Sequence, residues 1–265
     1  MEPDPAALHR AFSAHRDLDW ADSLLATVDI TKLHGQSATS KSLRMLADVA
    51  TIEPTATSQF IDSLPSGASP YQLDRRVKSP ESLARKIRAS QISRKFIPLH
   101  DVLRYTALTE SADDLVAAAQ EIVHGLRRHG WTVDYTMHSY TDGSRYKGLH
   151  AYLSFPGIDR VEVQFHSSAS VKVKETTTTW YQVERSFGAG EETRAAARQR
   201  CIDLSATLTT PAGLDELKLL GGKRVAVLNY SDSRIPPGRD RARAGNVPPA
   251  PGRTAGIERN DGITR

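Results

Sequence analysis

Residues Ser144–His166 read SRYKGLHAYLSFPGIDRVEVQFH. Two alternating runs flank Pro156-Gly157, the pattern of two strands joined by a turn. Tyr146, Gly148 and His150 fall on one face of the first run. Glu162, Gln164 and His166 fall on one face of the second, with Val161, Val163 and Phe165 opposite. A half-buried hairpin ordinarily carries small or solvating groups on its polar side. This one carries an aromatic ring, two imidazoles, a carboxylate and a carboxamide, which can stack a base, hold a metal and orient a hydroxyl. What that face lacks is positive charge.

The rest of the chain can supply it. The 265 residues carry a formal charge of +4, and the composition, 39 % hydrophobic and 25 % charged, is that of an ordinary soluble domain with appendages. The mild basicity suits a polyanionic ligand without requiring one. A single cysteine, Cys201, excludes an internal disulfide and a cysteine-based zinc cluster, and it reads as a small buried apolar residue. No run approaches the roughly eighteen apolar residues of a membrane span, and the acidic start lacks a signal-peptide layout. No membrane contact is expected, and a cytoplasmic site of action follows by default.

Residues 1–66 read as a helical region, with helices over Ala6–His15, Leu18–Ala26, Lys41–Val49 and Thr57–Leu64, and no chemistry of its own. Residues 67–230 read as the functional domain. Within it, Ser79 caps a helix entered through Pro80 and Ser82. Arg76 and Lys78 precede that helix and Lys86 lies two turns inside it. Three cations around a helix start make a polyphosphate site, and the alternative is a solvated basic face. Phe96–Leu108 reads as a strand carrying Asp101 in an apolar run, where a carboxylate needs a metal or a cation such as Arg104. Ser111–His129 reads as a crossover helix, opened by a Ser111/Asp114 capping box and striped with Leu115, Ala118, Ala119, Ile122, Val123 and Leu126. Trp131–His138 reads as a strand, Ser167–Arg185 and Glu191–Ser205 as helices, Leu214–Leu220 as a short helix stopped by Gly221-Gly222, and Arg224–Leu228 as a short strand. Residues 231–265, with five prolines and seven arginines, read as a disordered basic tail. An RNA-binding protein working through that tail is a competing reading. There is no glycine-rich phosphate loop and no dinucleotide fingerprint.

Taken in order, these stretches resemble the synthetase domain of the RelA/SpoT alarmone synthetases, from about Asp74 to Arg185. Arg76-Val77-Lys78-Ser79 with Ser82 and Lys86 is similar to the family's R-x-K-S and S-[IL]-x-x-K segments. Asp101 stands at the family's first metal-binding aspartate. Tyr146-Lys147-Gly148-Leu149-His150 resembles its G-Y-x-x-[IL]-H block, and Glu162-Val163-Gln164 its E-[IV]-Q block. The resemblance implies an α/β (α+β) fold, a mixed sheet of about five strands flanked by helices, related to nucleotidyltransferases. It implies transfer of pyrophosphate from ATP to a 3′-hydroxyl, on a guanosine or adenosine nucleotide or the 3′ end of tRNA, with release of AMP. In that scheme Arg76, Lys78, Ser82 and Lys86 hold ATP, and Asp101 and Glu162 bind Mg²⁺ and act in catalysis. Tyr146 stacks the acceptor base, with Lys147, His150 and Gln164 beside it.

Arg145 replaces the family's glycine before the tyrosine, Phe165-His166 replaces an apolar residue and arginine, and Thr178 stands where a histidine is frequent. The first two departures resemble short, toxin-type synthetases, in which the histidine replaced by Thr178 is frequent, and for which a separate antitoxin protein is expected; small synthetases also self-associate. His100-Asp101 is the only histidine–aspartate pair, so no companion hydrolase centre is expected. A degenerate fold that binds nucleotides without turnover is the second reading.

Overall fold

The computed structural model describes residues 3–20, 23–93, 99, 101–186 and 188–231. The expected tail beyond its first residue, Ser231, the entry to the strand at Phe96–Pro98, and His100 lie outside the described residues. Helices α1 (Pro5–Ser13), α2 (Thr27–His34), α3 (Gln36–Ala50) and α4 (Glu53–Asp62) come first. They are followed by β1 (Ala68–Pro70), α5 (Pro80–Ser93), β2 (Leu103–Thr109), α6 (Leu115–Arg128) and β3 (Thr132–His138). The chain continues through β4 (Leu149–Phe155), β5 (Ile158–Ser167), α7 (Ser168–Arg185), α8 (Glu191–Ala206), β6 (Leu219–Leu220) and β7 (Lys223–Val227).

The strands form one mixed sheet in the order β1-β2-β5-β4-β3-β7-β6. The β2/β5 and β3/β7 pairs are parallel and the others antiparallel. The expected fold class holds; the sheet has seven strands rather than about five because two very short ones extend its edges. Period-2 alternation gives it two unlike faces. Leu103, Tyr105 and Ala107 of β2, Leu149, Ala151 and Leu153 of β4, and Val161, Val163 and Phe165 of β5 are buried on one side. There α6 covers them with Leu115, Ala119, Ile122, Val123 and Leu126, each large aliphatic contributing about 1.5–3 kcal/mol. Phe60 of α4 stacks on Tyr105 with ring centroids 4.7 Å apart. The same hydrophobic cluster takes in Leu8 and Phe12 of α1 and Leu43 and Leu46 of α3.

Four local expectations are corrected. Among the described residues no α-helix lies in Leu18–Ala26; Leu18–Trp20 and Leu24–Ala26 are irregular, and α2 begins at Thr27. Leu214–Leu220 is not a helix: turns lead into β6, whose Leu220 pairs with Lys223 across Gly221-Gly222. Both glycines have positive φ, 60° and 84°, the requirement of a two-residue hairpin turn, so the glycine pair makes a hairpin rather than stopping a helix. Helix α6 starts at Leu115, and Asp114 makes no side-chain cap. Ser111 instead accepts from Asp113 N at 3.1 Å, in the turn ahead of the helix. Asp101 lies in a turn two residues before β2, outside the strand. By contrast, α7 forms as expected over its threonines. A Ser167/Ser170 capping box starts it, and Thr176, Thr177 and Thr178 return their hydroxyls to the carbonyls of Lys172, Val173 and Lys174 at 2.8 Å each.

Candidate active site

The polar face of the sheet carries the site. In register across β3, β4, β5 and β2 stand Tyr135, Tyr152, Glu162 and Arg104, and in the next row Met137, His150, Gln164 and Thr106. The strands thus bring Glu162, Gln164 and His150 together as expected. Tyr146 lies just before β4 rather than on it. It nevertheless folds back, its hydroxyl 2.8 Å from His150 Nε2 and 2.9 Å from His166 Nε2. Gly148 permits this: a Cβ there would stand 2.6 Å from the Tyr146 oxygen and 2.8 Å from His150 Nε2.

Glu162 Oε1 lies 2.9 Å from His150 Nδ1 and accepts from the Tyr152 hydroxyl at 3.3 Å. A carboxylate only accepts, so His150 Nδ1 is the donor and Nε2 faces Tyr146. A chain of hydrogen bonds therefore runs from Glu162 through His150, Tyr146 and His166 to Ser170, whose Oγ is 2.9 Å from His166 Nδ1. Burial alone would raise the Glu162 carboxyl. The His150 hydrogen bond and charge, with Arg104 beside it, bring it down to about 2. Burial pushes His166 well below the ordinary histidine value, with Lys174, His150 and Arg104 adding to the effect.

A second group sits where the chain before α5 runs alongside β2. Val77 bridges Leu103, and Lys78 N donates to Val102 O. Ser79 accepts from Ser82 N at 3.3 Å, the expected cap. Lys78 and Lys86 each donate to Asp101 at 2.7 Å, to different oxygens. These lysines, rather than Arg104, partner Asp101. Burial opposes the charge on Asp101, but the two lysines outweigh it and hold the carboxyl well below the ordinary range. Burial lowers the Lys78 ammonium despite Asp101.

Arg76 does not join this group. It is 1 % exposed, and its Nε donates to Glu53 at 2.5 Å. Its other nitrogens donate to the carbonyls of Phe12, Arg16, Asp17 and Leu73. The expectation that it holds phosphate is corrected: a guanidinium whose donors are consumed by the core has none for a ligand. Lys147 is likewise buried, and donates to Leu208 O at 3.1 Å beyond the end of α8, so its ammonium is directed to the α8 end rather than to Glu162. Ser82 donates to Glu81 at 3.2 Å.

Arg145 is explained by the fold. It pairs at 2.9 Å with Glu184, which also pairs with Arg198, and its carbonyl accepts from Ser205 at 2.9 Å. With Lys147 on Leu208, the α7–α8 pair clamps the loop on both sides of Tyr146. Thr178 is exposed and bonded to its own helix.

Sequence reasoning missed Lys174. It projects from α7 to Gln164, donating to Oε1 at 2.9 Å. Burial first, then Arg104, lowers its ammonium to about 8. The signal was its place one turn beyond the Ser167/Ser170 cap, which aims it back at the sheet. A phosphate nearby would raise that value, so nucleotide binding at pH 8 should take up protons. Calorimetry in two buffers of different ionisation enthalpy should show the uptake at pH 8, much less at pH 6.5, and none assignable to this site in Lys174→Met.

Half-buried Lys78, Lys86, Arg104 and Lys174 thus stand around the carboxylates of Asp101 and Glu162, with Glu175 also near Lys174. Among the described residues no cluster of three or more His, Cys, Asp or Glu could hold a metal. Mg²⁺ binds through one or two carboxylates plus substrate phosphates rather than an all-protein cage. Both hydrogen bonds to Glu162 fall on Oε1, and Asp101 is near enough to perturb it. The two carboxylates fit such an ion.

No protein-family model and no curated protein match the chain. Among solved structures it is similar to the small alarmone synthetase 1 of Bacillus subtilis, at 16 % identity, a TM-score of 0.40, and 62 % of this chain against 90 % of that one. The same enzyme bound to its product pppGpp aligns at 16 % and 0.37, over 52 % of this chain and 72 % of that one. The Type VI effector Tas1, solved with its immunity protein, aligns at 14 % and 0.39, over 65 % and 96 %. Values of this size fix neither activity nor substrate. No helix among the described residues is long and apolar enough to cross a membrane.

Proposed function

We propose that the chain is an ATP-dependent pyrophosphokinase that transfers the β,γ-pyrophosphate of ATP to the 3′-hydroxyl of a guanosine or adenosine nucleotide, or of tRNA. The observation that carries this is the excess of cations, Lys78, Lys86, Arg104 and Lys174, around Asp101 and a histidine-supported Glu162. Such a surplus fits a polyphosphate, and the carboxylate on the same face fits a hydroxyl.

In this reading Lys78 and Lys86 take the ATP phosphates. Glu162, charged at neutral pH, accepts a hydrogen bond from the acceptor hydroxyl on the oxygen not engaged by His150 and Tyr152. The 3′-oxygen forms its bond to the β-phosphorus as the bond to the α–β bridging oxygen breaks. That electron pair leaves on AMP, and the hydroxyl proton passes to Glu162. A carboxyl held near 2 is a weak base, but a loose phosphoryl transition state develops little need for a strong one. Mg²⁺ held by Asp101 and Glu162 would neutralise phosphate charge.

One observation favours the second reading, a nucleotide-binding module without turnover: both oxygens of Asp101 are engaged by lysines. A polyphosphate offers those lysines a stronger partner and would free the carboxylate. The test is to incubate protein, Mg²⁺ and γ-labelled ATP separately with GDP, GTP, ADP and bulk tRNA. Label on one acceptor with an equal yield of AMP is expected. No transfer to any of the four would favour the binding module.

A further inference from the structure

The segment after β7 does not leave the fold directly. Leu228 N donates to His138 O at 2.9 Å, Asn229 Nδ2 to Asp142 O at 2.7 Å, and Tyr230 N to Ser144 Oγ at 3.4 Å. Ser144 Oγ in turn donates to Tyr146 O at 2.7 Å. One serine hydroxyl therefore ties the backbones of two tyrosines that are 84 residues apart in sequence. Their ring centroids lie 6.1 Å apart with planes at 72°.

The rings that meet Tyr146 are those of His150, His166 and Tyr230, and all three stand steeply to it, at 83°, 72° and 72°. None of these stacks on it. Two rings at 72° form a corner, in which a planar group lying flat on one meets the other edge to face; both contacts are favourable. The corner is linked to Glu162 through one residue, by the Tyr146–His150 and His150–Glu162 hydrogen bonds of 2.8 and 2.9 Å. Burial first, and then the Glu162 charge, push the Tyr230 hydroxyl upward, so the ring stays neutral. Tyr152, whose hydroxyl donates to Glu162 at 3.3 Å, and Tyr135, stacked on Tyr152 at 5.8 Å, add aromatic surface along β4 and β3. Tyr135, Tyr146, Tyr152 and Tyr230 are all half-buried.

We propose that Tyr230 is part of the acceptor site, supplying with Tyr146 the aromatic corner that receives the acceptor's planar base while its 3′-hydroxyl faces Glu162. This rests on the transfer reading above for the identity of the ligand, but not for the existence of a base site. The residue lies at the border of the sequence-defined tail, where nothing in its neighbours marks it as functional.

The test uses the full chain and its Tyr230→Ala, Tyr230→Phe and Tyr230→Trp variants, titrated with GDP, ADP and inorganic pyrophosphate. An α,β-methylene analogue of ATP is held at saturation during the nucleotide titrations. Y230A should weaken the better-bound of GDP and ADP by about tenfold, in line with one lost base–aromatic contact. Y230F and Y230W should bind as the native chain does, and pyrophosphate affinity should be the same in all. In the transfer assay, Y230A should raise KM for the acceptor about tenfold and leave KM for ATP in place. Equal losses in Y230A and Y230F, an unchanged acceptor affinity in Y230A, or equal weakening of pyrophosphate would each overturn the proposal. Should Y230A fail to fold, the same decision rests on Y230L against Y230F. Base-dependent binding through Tyr230 without any transfer would overturn the pyrophosphokinase reading and leave this one standing; transfer with an unmoved acceptor KM would do the reverse.

Discussion

Glu162→Gln is expected to lower pyrophosphate transfer by about 10²–10⁴-fold with nucleotide affinity nearly unchanged. The amide keeps the size of the side chain and an oxygen for His150 Nδ1 and Tyr152, so the hydrogen-bond chain to Tyr146 and His166 can persist. What it removes is the charge that, in the transfer reading, accepts the hydroxyl proton. Stability supplies an independent check. The Glu162 carboxyl is held at about 2 against an ordinary 4.5, so the fold favours its charged form. The stability this gives is present above pH 4.5 and is lost as pH falls from 4.5 through about 2. The variant lacks the group, so its melting temperature should fall less steeply than the native protein's across that window. Expression of the native chain in a bacterium should arrest growth, and E162Q should relieve the arrest. Full transfer activity in E162Q would remove Glu162 from the mechanism, whatever the growth result.

The parts of the site legible in the sequence are those written by local periodicity. Alternation around Pro156-Gly157 placed Glu162 and Gln164 on one face and Val161, Val163 and Phe165 on the other, and the sheet pairs them so. Ser79 announced the start of α5, and the buried Cys201 follows from its type and surroundings. What was not legible depends on partners remote in sequence. Lys78, Lys86 and Arg76 look alike as cations near a helix start; only the tertiary fold brings Asp101 to the first two and Glu53 to the third. Lys174 was obscured by four threonines whose propensity is poor until their hydroxyls bond back to the helix. Gly221-Gly222 ends a helix or turns a hairpin equally well, and the choice falls to β7, which offers Lys223 and Arg224 to Leu220 and Leu219.

Arg76→Met is expected to be among the most destabilising single substitutions in the chain, by about 3–5 kcal/mol. For a chain of this size that is a fall in Tm of roughly 6–20 °C. The guanidinium is enclosed by Glu53 of α4 and by carbonyls from the end of α1 and the segment after it. Glu53 also accepts from the Thr57 hydroxyl, which is 2.9 Å from that of Tyr105. Removing the arginine leaves a buried carboxylate and several carbonyls without their donor, and methionine can fill the volume but not the bonds. Arg76→Lys should lose much of the same stability, since one ammonium cannot span five acceptors in a planar fork. Replacing both partners, Arg76→Met with Glu53→Met, should recover a large part of it, because the uncompensated charge goes too. The phosphate-ligand reading of this position requires the opposite pattern: a raised KM for ATP at unchanged Tm. Thermal melting of R76M beside a Lys86→Met control therefore separates a structural cation from a substrate-binding one. K86M should keep its Tm within a few degrees and lose ATP affinity, whereas R76M should lose the fold first.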